Sequence, residues 1–226
     1  MLYIVGSPIG NLKDITLRAI EILNSCDLIL CENPQRTLKI INKLKDQGLI
    51  EKKKIVLNFR KTKNLVKILK EKRVAFLVSS GMPGISDPSS ELIKLCQENN
   101  IYFDCVPGVS ALTCAISLLP FQVRIFVFLG FLPKKQNKIK KIFKYFLKKK
   151  ITIIFFESPH RILKTLNYIK DVIEENNFKA DFYIFKELTK INQKYYFGKI
   201  NEIIDALKKE IIKGEWTIVI KSYGEN

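Results

Sequence analysis

Apolar residues fall into two periods along this chain, and their alternation predicts an α/β protein. Short, mostly apolar runs at 2–5, 28–31, 55–58, 74–78 and 101–106 read as strands, and the one at 74–78 is continuous, of the kind buried on both faces of a parallel sheet. Each is followed by apolar residues at helical spacing. Helices are expected from Asp14 or Thr16, with Leu17, Ile20 and Leu23 on one face, and then at 38–45 before a terminating Gly48, at 64–72, at 91–99 and at 111–118. Strands alternating with helices imply a doubly wound, mostly parallel sheet.

Pro120 to Arg124 breaks the pattern, which places a domain boundary there and gives two α/β domains, 1–119 and 120–226. In the second, a strand at 124–129 and a loop at 130–135 precede an amphipathic helix at 138–150 whose stripe is Ile139, Ile142, Phe143, Phe146 and Leu147. A strand at 151–156 follows, then a helix at 162–174 with Pro159 near its first turn. Strands at 182–186 and 194–197, a helix at 201–212 and a strand at 216–221 complete the reading. Neighbouring strands without an intervening helix make this second sheet mixed.

Between the run at 74–78 and the helix at 91–99 the chain packs small and ring-locked residues, Ser79-Ser80-Gly81-Met82-Pro83-Gly84-Ile85-Ser86-Asp87-Pro88-Ser89-Ser90. Ligands of open α/β sheets bind outside the carboxyl ends of strands, and a loop poor in side chains lets backbone amides approach them. The spacing suits a plain β-to-α turn with Ser89 or Ser90 as helix cap equally well.

Composition narrows the class. At 226 residues and 47% hydrophobic the chain supports a packed core. Its longest membrane-span candidate, 116–132, is interrupted by Pro120, Gln122 and Arg124, and no secretory leader is visible. Five cysteines without a CxxC pair argue against a disulfide framework and a zinc site. The expectation is a reduced, cytoplasmic, metal-free protein that does not enter a membrane. A formal charge of +17 points to a polyanionic partner, although only 6 of the 39 basic residues are Arg and a Lys-, Ile- and Asn-rich composition produces such a charge by itself. Distribution decides more: nine lysines crowd 134–150, which favours an RNA or DNA footprint over a solvated face. Neither GxGxxG nor a Walker motif is present, so ordinary dinucleotide and nucleotide sites are disfavoured. The one histidine, His160, sits beside Glu157 and Arg161 at a strand end and reads as a loop residue before it reads as a base. Ser110, in a Pro-Gly-x-Ser turn, suits a helix cap as well as a ligand contact.

Several segments in order then resemble a known family. They are Leu2-Tyr3-Ile4-Val5 with Pro8-Ile9-Gly10-Asn11-Leu12 and Asp14-Ile15-Thr16; Gly81 with Pro83-Gly84-Ile85-Ser86-Asp87-Pro88; Pro107-Gly108 with Ser110-Ala111; Gly130-Phe131-Leu132-Pro133; Phe156-Glu157-Ser158-Pro159-His160-Arg161; Lys186-Glu187-Leu188-Thr189-Lys190; and Gly214-Glu215. Over nearly the whole chain they are similar to the 16S rRNA (cytidine 2′-O)-methyltransferases, small-subunit methyltransferase I, of the tetrapyrrole methylase superfamily. Two departures stand out: Glu32-Asn33-Pro34-Gln35 replaces the family's Glu-Asp-Thr-Arg, with Arg36 adjacent, and Ser79 to Pro83 replace Asp-Ala-Gly-Thr-Pro.

The resemblance implies a class III methyltransferase fold: two α/β domains, the second closing a cleft that holds S-adenosylmethionine (SAM), in a homodimer. It implies 2′-O-methylation of a cytidine ribose in 16S rRNA, in the decoding region of the small ribosomal subunit. SAM contacts are then expected at Pro8 and Ile9, at Ser79, Ser80, Gly81, Met82, Pro83 and Ile85, and at Ser110, Ala111, Phe156 and Trp216. Base candidates at strand ends are Glu157, Lys186, Glu187 and Asp87. Lys134, Lys135, Lys140, Lys141, Lys144, Arg161 and Lys190 suit RNA phosphates. Two alternatives stay open: a small-molecule methylase of the tetrapyrrole type, and a non-catalytic RNA-binding relative, the latter motivated by Ser79 and Gln35.

Overall fold

The apolar run that begins at Val74 is the middle strand of the first sheet in a computed structural model that describes residues 1–51, 54–85 and 87–225, the last without its side chain. Ser86 of the expected ligand loop lies outside the described residues. The chain divides into two compact units, Met1–Ser110 and Ala111–Asn226.

In the first unit β1 (Leu2–Val5), α1 (Leu17–Ser25), β2 (Leu28–Cys31), α2 (Pro34–Asp46), β3 (Ile55–Asn58), α3 (Leu65–Glu71), β4 (Val74–Leu77), α4 (Ser89–Glu98) and β5 (Phe103–Val106) follow one another. The sheet order is β3-β2-β4-β1-β5, every described pair parallel, with Ile4 opposite both Phe76 and Cys105. Successive side chains of a strand point to opposite faces, so a strand covered by helices on both sides is apolar throughout. Leu2, Ile4, Leu30, Val74 and Phe76 pack on Leu69 of α3 and on Leu92 and Cys96 of α4. Tyr3, Val5, Ile29, Ala75 and Leu77 meet Ala19 and Leu23 of α1 and Ile41 and Leu44 of α2.

The second unit holds α5 (Ala111–Ser117), β6 (Phe126–Phe131), α6 (Gln136–Lys148), β7 (Thr152–Glu157), α7 (Ile162–Glu175), β8 (Phe178–Lys186), β9 (Lys194–Gly198), α8 (Ile200–Lys208) and β10 (Trp216–Glu225). Its sheet, β6-β7-β10-β8-β9, is mixed: β6 and β7 are parallel, while β10 runs antiparallel to β7 and β8, and β9 to β8. Helices α6, α7 and α8 cover one face, where Phe143, Leu147, Leu166, Ile169 and Leu207 meet Phe155, Phe182, Trp216 and Ile218. The opposite face is aromatic, with Phe128 and Phe131 against Phe156 and Phe185 against Tyr195 and Phe197.

Several boundaries differ from the sequence expectation, each for a local reason. Helix α2 starts at Pro34 instead of 38, because the Asn33 side chain accepts the Arg36 amide at 3.1 Å and proline suits the first helical position. Helix α4 starts at Ser89, so Ser89 is a buried first-turn residue, and no side chain caps this helix. Strand β6 continues through Phe131, past a register shift, with Gly130 at φ +59°. Strand β8 starts at Phe178 because Lys179 and Asp181 alternate outward with buried Phe178 and Ala180, hiding the run. Helix α5 lies against β10 and groups with the second unit, ahead of the boundary expected at 120.

Candidate active site

The carboxyl ends of β4, β1 and β5 are adjacent in the first sheet, so the loops leaving them meet. Ser7 and Gly81 form a two-way bridge: the Ser7 amide donates to the Gly81 carbonyl at 3.0 Å, and the Gly81 amide to the Ser7 carbonyl at 3.2 Å. The Gly6 amide donates to the Val106 carbonyl at 3.0 Å. A Cβ on Gly6 would stand 2.7 Å from Gly108 Cα, and one on Gly108 would stand 2.9 Å from Gly6 Cα, so neither position admits a side chain. Met82 closes the cluster, its Sδ accepting the Gly108 amide at 3.1 Å. Gly81 has φ +76°, where glycine is unstrained, and a Cβ there would meet Ile9 Cγ2 at 3.3 Å. Three strand ends thus meet backbone to backbone in one rigid cradle, with the amides of Gly6, Ser7, Gly81 and Gly108 all bonded within it, at the place where open α/β sheets bind ligands.

Expected contact residues are distributed around this cluster. Pro8, Ile9, Gly81, Pro83 and Ser110 are buried, Ser79 and Met82 half-buried, and Ser80 and Ile85 exposed. Ala111, Phe156 and Trp216 belong to the second unit. Gly6, Ser7 and Gly108 were not singled out from the sequence as site residues. Their signal was there: a small residue follows each of three strands that the sheet order makes neighbours.

In the segments that follow β2, β3 and β4 stands a charged group. Burial pushes the Asp87 carboxyl above its ordinary range, and the neighbouring Glu32 carboxylate pushes it further. Arg60 donates to Glu91 at 2.7 Å, lies 4.0 Å from Glu32 and sits over the Phe59 ring at 5.4 Å. Asn58 Nδ2 donates to the Glu32 carbonyl at 2.6 Å, tying the ends of β2 and β3 together. A carboxyl raised in this way is a better proton acceptor near neutrality than a solvated one.

In the second unit the expected chemical residues are held by one another. Glu157 is buried; its Oε1 accepts the Ser158 amide at 2.8 Å and its Oε2 the Thr165 hydroxyl at 2.7 Å. Arg161 donates to the Leu132 carbonyl at 3.1 Å and the Pro133 carbonyl at 2.8 Å, and lies 3.5 Å from Glu157. Glu187, at φ +54°, accepts from Lys190 Nζ at 2.8 Å and from the Glu215 amide at 2.7 Å. Burial alone would raise its carboxyl; these two bonds and the lysine charge overcome that and hold it below the ordinary glutamate range. Lys190 also donates to Glu215 at 2.9 Å. Lys186 is buried, donates to the Ile211 carbonyl at 2.9 Å and lies 5.2 Å from the centre of the Trp216 ring. Helix α8 ends at Lys208 rather than 212, and the Ile211 carbonyl beyond it is the one Lys186 bonds. Trp216 is in register with both Glu157 and Lys186, so the three form a row across the sheet.

Helix α6 buries Ile139, Phe143 and Leu147, with Ile142 and Phe146 half-buried. Lys134, Lys135, Lys138, Lys141 and Lys144 are exposed, and no carboxylate among the described residues pairs with them. Lys140 differs: its ammonium lies 2.8 Å from Asp171 and 3.1 Å from Glu175, bonds that raise its pKa. Lys140, Arg161 and Lys190 are therefore engaged internally, while Lys134, Lys135, Lys141 and Lys144 face water.

Comparison with known proteins gives the family and the fold. A family model described as Tetrapyrrole (Corrin/Porphyrin) Methylases matches residues 1–204. The chain is 41% identical to Ribosomal RNA small subunit methyltransferase I of Thermotoga maritima, over 97% of each chain. It is 35% identical to the protein of that name from Helicobacter pylori, over 97% of this chain and 82% of that one. Among solved structures, the X-ray structure of a cobalamin biosynthetic enzyme, cobalt precorrin-4 methyltransferase, superposes with a TM-score of 0.67 at 17% identity, covering 97% of this chain and 93% of that one.

Proposed function

From a chain that belongs to the tetrapyrrole methylase family and, within it, to the ribosomal RNA small subunit methyltransferase I proteins, we propose a SAM-dependent enzyme that methylates rRNA of the small ribosomal subunit. The finer reading is transfer to the ribose 2′-oxygen of a cytidine in 16S rRNA, in the decoding region. Two observations, each within its own unit, support an RNA-methylating enzyme: the backbone cradle at Gly6-Ser7, Gly81-Met82 and Gly108 in the first, and the exposed lysines of α6 in the second. When bound, SAM supplies a methyl group already activated on a sulfonium.

The cradle's part is to fix the loops that leave β1, β4 and β5, whose remaining backbone groups would hold that donor independently of the side chain at Ser79 or Gln35. Holding two reactants in attack geometry is worth about 7 to 11 kcal/mol, so positioning carries much of the rate. Of the four base candidates, Asp87 has the environment of a proton acceptor; Glu157, Lys186 and Glu187 act as positioning residues for the turns at the ends of β7 and β8. In this reading the first unit serves the donor, and Lys134, Lys135, Lys141 and Lys144 of the second serve RNA phosphates. A homodimer is proposed as well, supported by the exposed apolar residues Ile125, Phe126, Phe131, Tyr195 and Phe197. Among the described residues no helix is long and apolar enough to cross a membrane, and work in the cytoplasm is part of the proposal.

A small-molecule methylase has no use for a row of unpaired lysines, which ranks that reading second. The deciding assay incubates purified small ribosomal subunits, and separately their naked RNA, with SAM tritiated on the methyl, and maps the label. A ribose label on one cytidine is expected. Label on a base, or none on RNA while SAM still binds, would overturn the reading.

A further inference from the structure

The first unit carries cations that the proposed mechanism does not use, and they gather at one place. Arg36 and Lys39 are exposed on α2, and Lys61 and Lys63 are exposed just after β3. Strands β2 and β3 are neighbours, and α2 leaves the carboxyl end of β2, so Arg36, Lys61 and Lys63 share the carboxyl edge of the sheet with the cradle. The bond from Asn58 to the Glu32 carbonyl holds the two strand ends together there.

The acids of this edge do not neutralise these cations. Glu32 and Glu91 face Arg60, whose guanidinium lies between them, and Asp87 has Glu32 as its charged neighbour. Among the described residues no ion pair forms with Arg36, Lys39, Lys61 or Lys63. On α2 itself the acid is Asp46, the last residue of the helix. Arg36 lies in the first turn, where the helix dipole disfavours a cation and where no acidic residue stands. A cation kept against local electrostatics, beside others equally unpaired, fits an anionic partner that supplies the missing charge. Arg36 and Lys39 are three apart and so on one helix face, spaced for successive phosphates of a strand.

We propose that the β2–β3 side of this edge, through Arg36, Lys39, Lys61 and Lys63, is a second phosphate-contacting face, over which the RNA strand flanking the target nucleotide runs. It rests on the reading that the chain acts on RNA and adds a surface independent of α6. These cations are weakly placed to hold the folded chain together, so their removal acts on RNA and not on the fold.

The test is the triple variant Arg36→Gln, Lys61→Gln, Lys63→Gln, with affinity for small-subunit RNA measured by filter binding from low to high salt. Three lost contacts to a single strand lower the slope of log affinity against log salt by about 2. SAM affinity by calorimetry and the unfolding midpoint should equal those of the parent. The pair Lys141→Gln, Lys144→Gln on α6 serves as comparator, and combining both sets should add their effects on the slope. If the triple variant keeps the parent slope while the α6 pair lowers it, this face does not touch RNA and the inference fails alone. If the parent itself shows no salt-dependent RNA binding, the RNA reading fails and this inference with it.

Discussion

The carboxyl ends of β1, β4 and β5 and the turns at the ends of β7, β8 and β10 are both dense in residues that usually mark chemistry, yet they use them in opposite ways. In the first region glycines, a methionine and short turns bring backbone to backbone, and little side-chain chemistry is present. In the second, Glu157, Arg161, Glu187 and Lys190 are abundant and charged, and each is bonded to a partner within its own unit. A buried carboxylate is tolerable only when its oxygens are satisfied, so the conspicuous groups of the second region are the ones committed to structure. In the plain region the backbones are bonded to one another, and on the proposed reading the donor rests on the loops that this junction fixes. On the proposed reading, charged residues at strand ends are a weaker guide to a reaction centre here than small residues that recur after neighbouring strands.

The sharpest way to break this comparison is to fill the cradle. Gly81→Val puts a β-branched residue at φ +76° against Ile9, which costs about 3 kcal/mol of stability and displaces the turn that the proposed donor site needs. SAM affinity by calorimetry should fall about 100-fold. An unchanged affinity, with an unchanged circular dichroism spectrum, would place the donor elsewhere.

The complementary change removes the carboxylate of the second region. Glu157→Ala leaves the Ser158 amide and the Thr165 hydroxyl without their acceptor, a cost of about 2–3 kcal/mol. Urea unfolding should show that loss, and SAM binding to folded protein should persist. Full stability combined with lost methyl transfer would make Glu157 a catalytic residue and reverse the contrast.

A smaller effect separates lysines within α6. Changing Lys141 and Lys144 to Gln should flatten the salt dependence of RNA affinity by about 1.4 to 1.8. Lys140→Gln should change it little, because its ammonium already faces Asp171 and Glu175. Equal effects from Lys140 and Lys141 would show that the internal ion pairs give way to phosphate.

The smallest effect is expected at Ser79. Ser79→Asp restores the residue usual in the family, and with the donor held by backbone it should change SAM affinity no more than a few-fold, one neutral hydrogen bond contributing about 0.5–1.5 kcal/mol. A gain of several hundred-fold would mean that the cradle lacks an essential carboxylate and that this chain is a weakened or non-catalytic relative.

Much of this fold is legible along the chain for a local reason. Burial on both faces makes β1, β2 and β4 apolar at every position, and burial on one face makes α6 an apolar stripe among lysines, so neighbours in sequence record what covers them. The alternation of those patterns determined two α/β halves, one parallel and one mixed, and it offered the loop from Ser79 to Ser90 as either a ligand site or a plain turn. Tertiary structure alone decided which charges are free to act. Arg60 meets Glu91, Lys140 meets Asp171 and Glu175, and Arg161 meets the carbonyls of Leu132 and Pro133, all partners about thirty residues away that no local spacing pairs. The cradle was decided in the same way: Gly6, Gly81 and Gly108 are remote in sequence and meet because the strand order places β4, β1 and β5 side by side. Periodicity reports burial, a property of each residue's own surroundings. Pairing depends on distances between segments, which exist only once the sheet has formed.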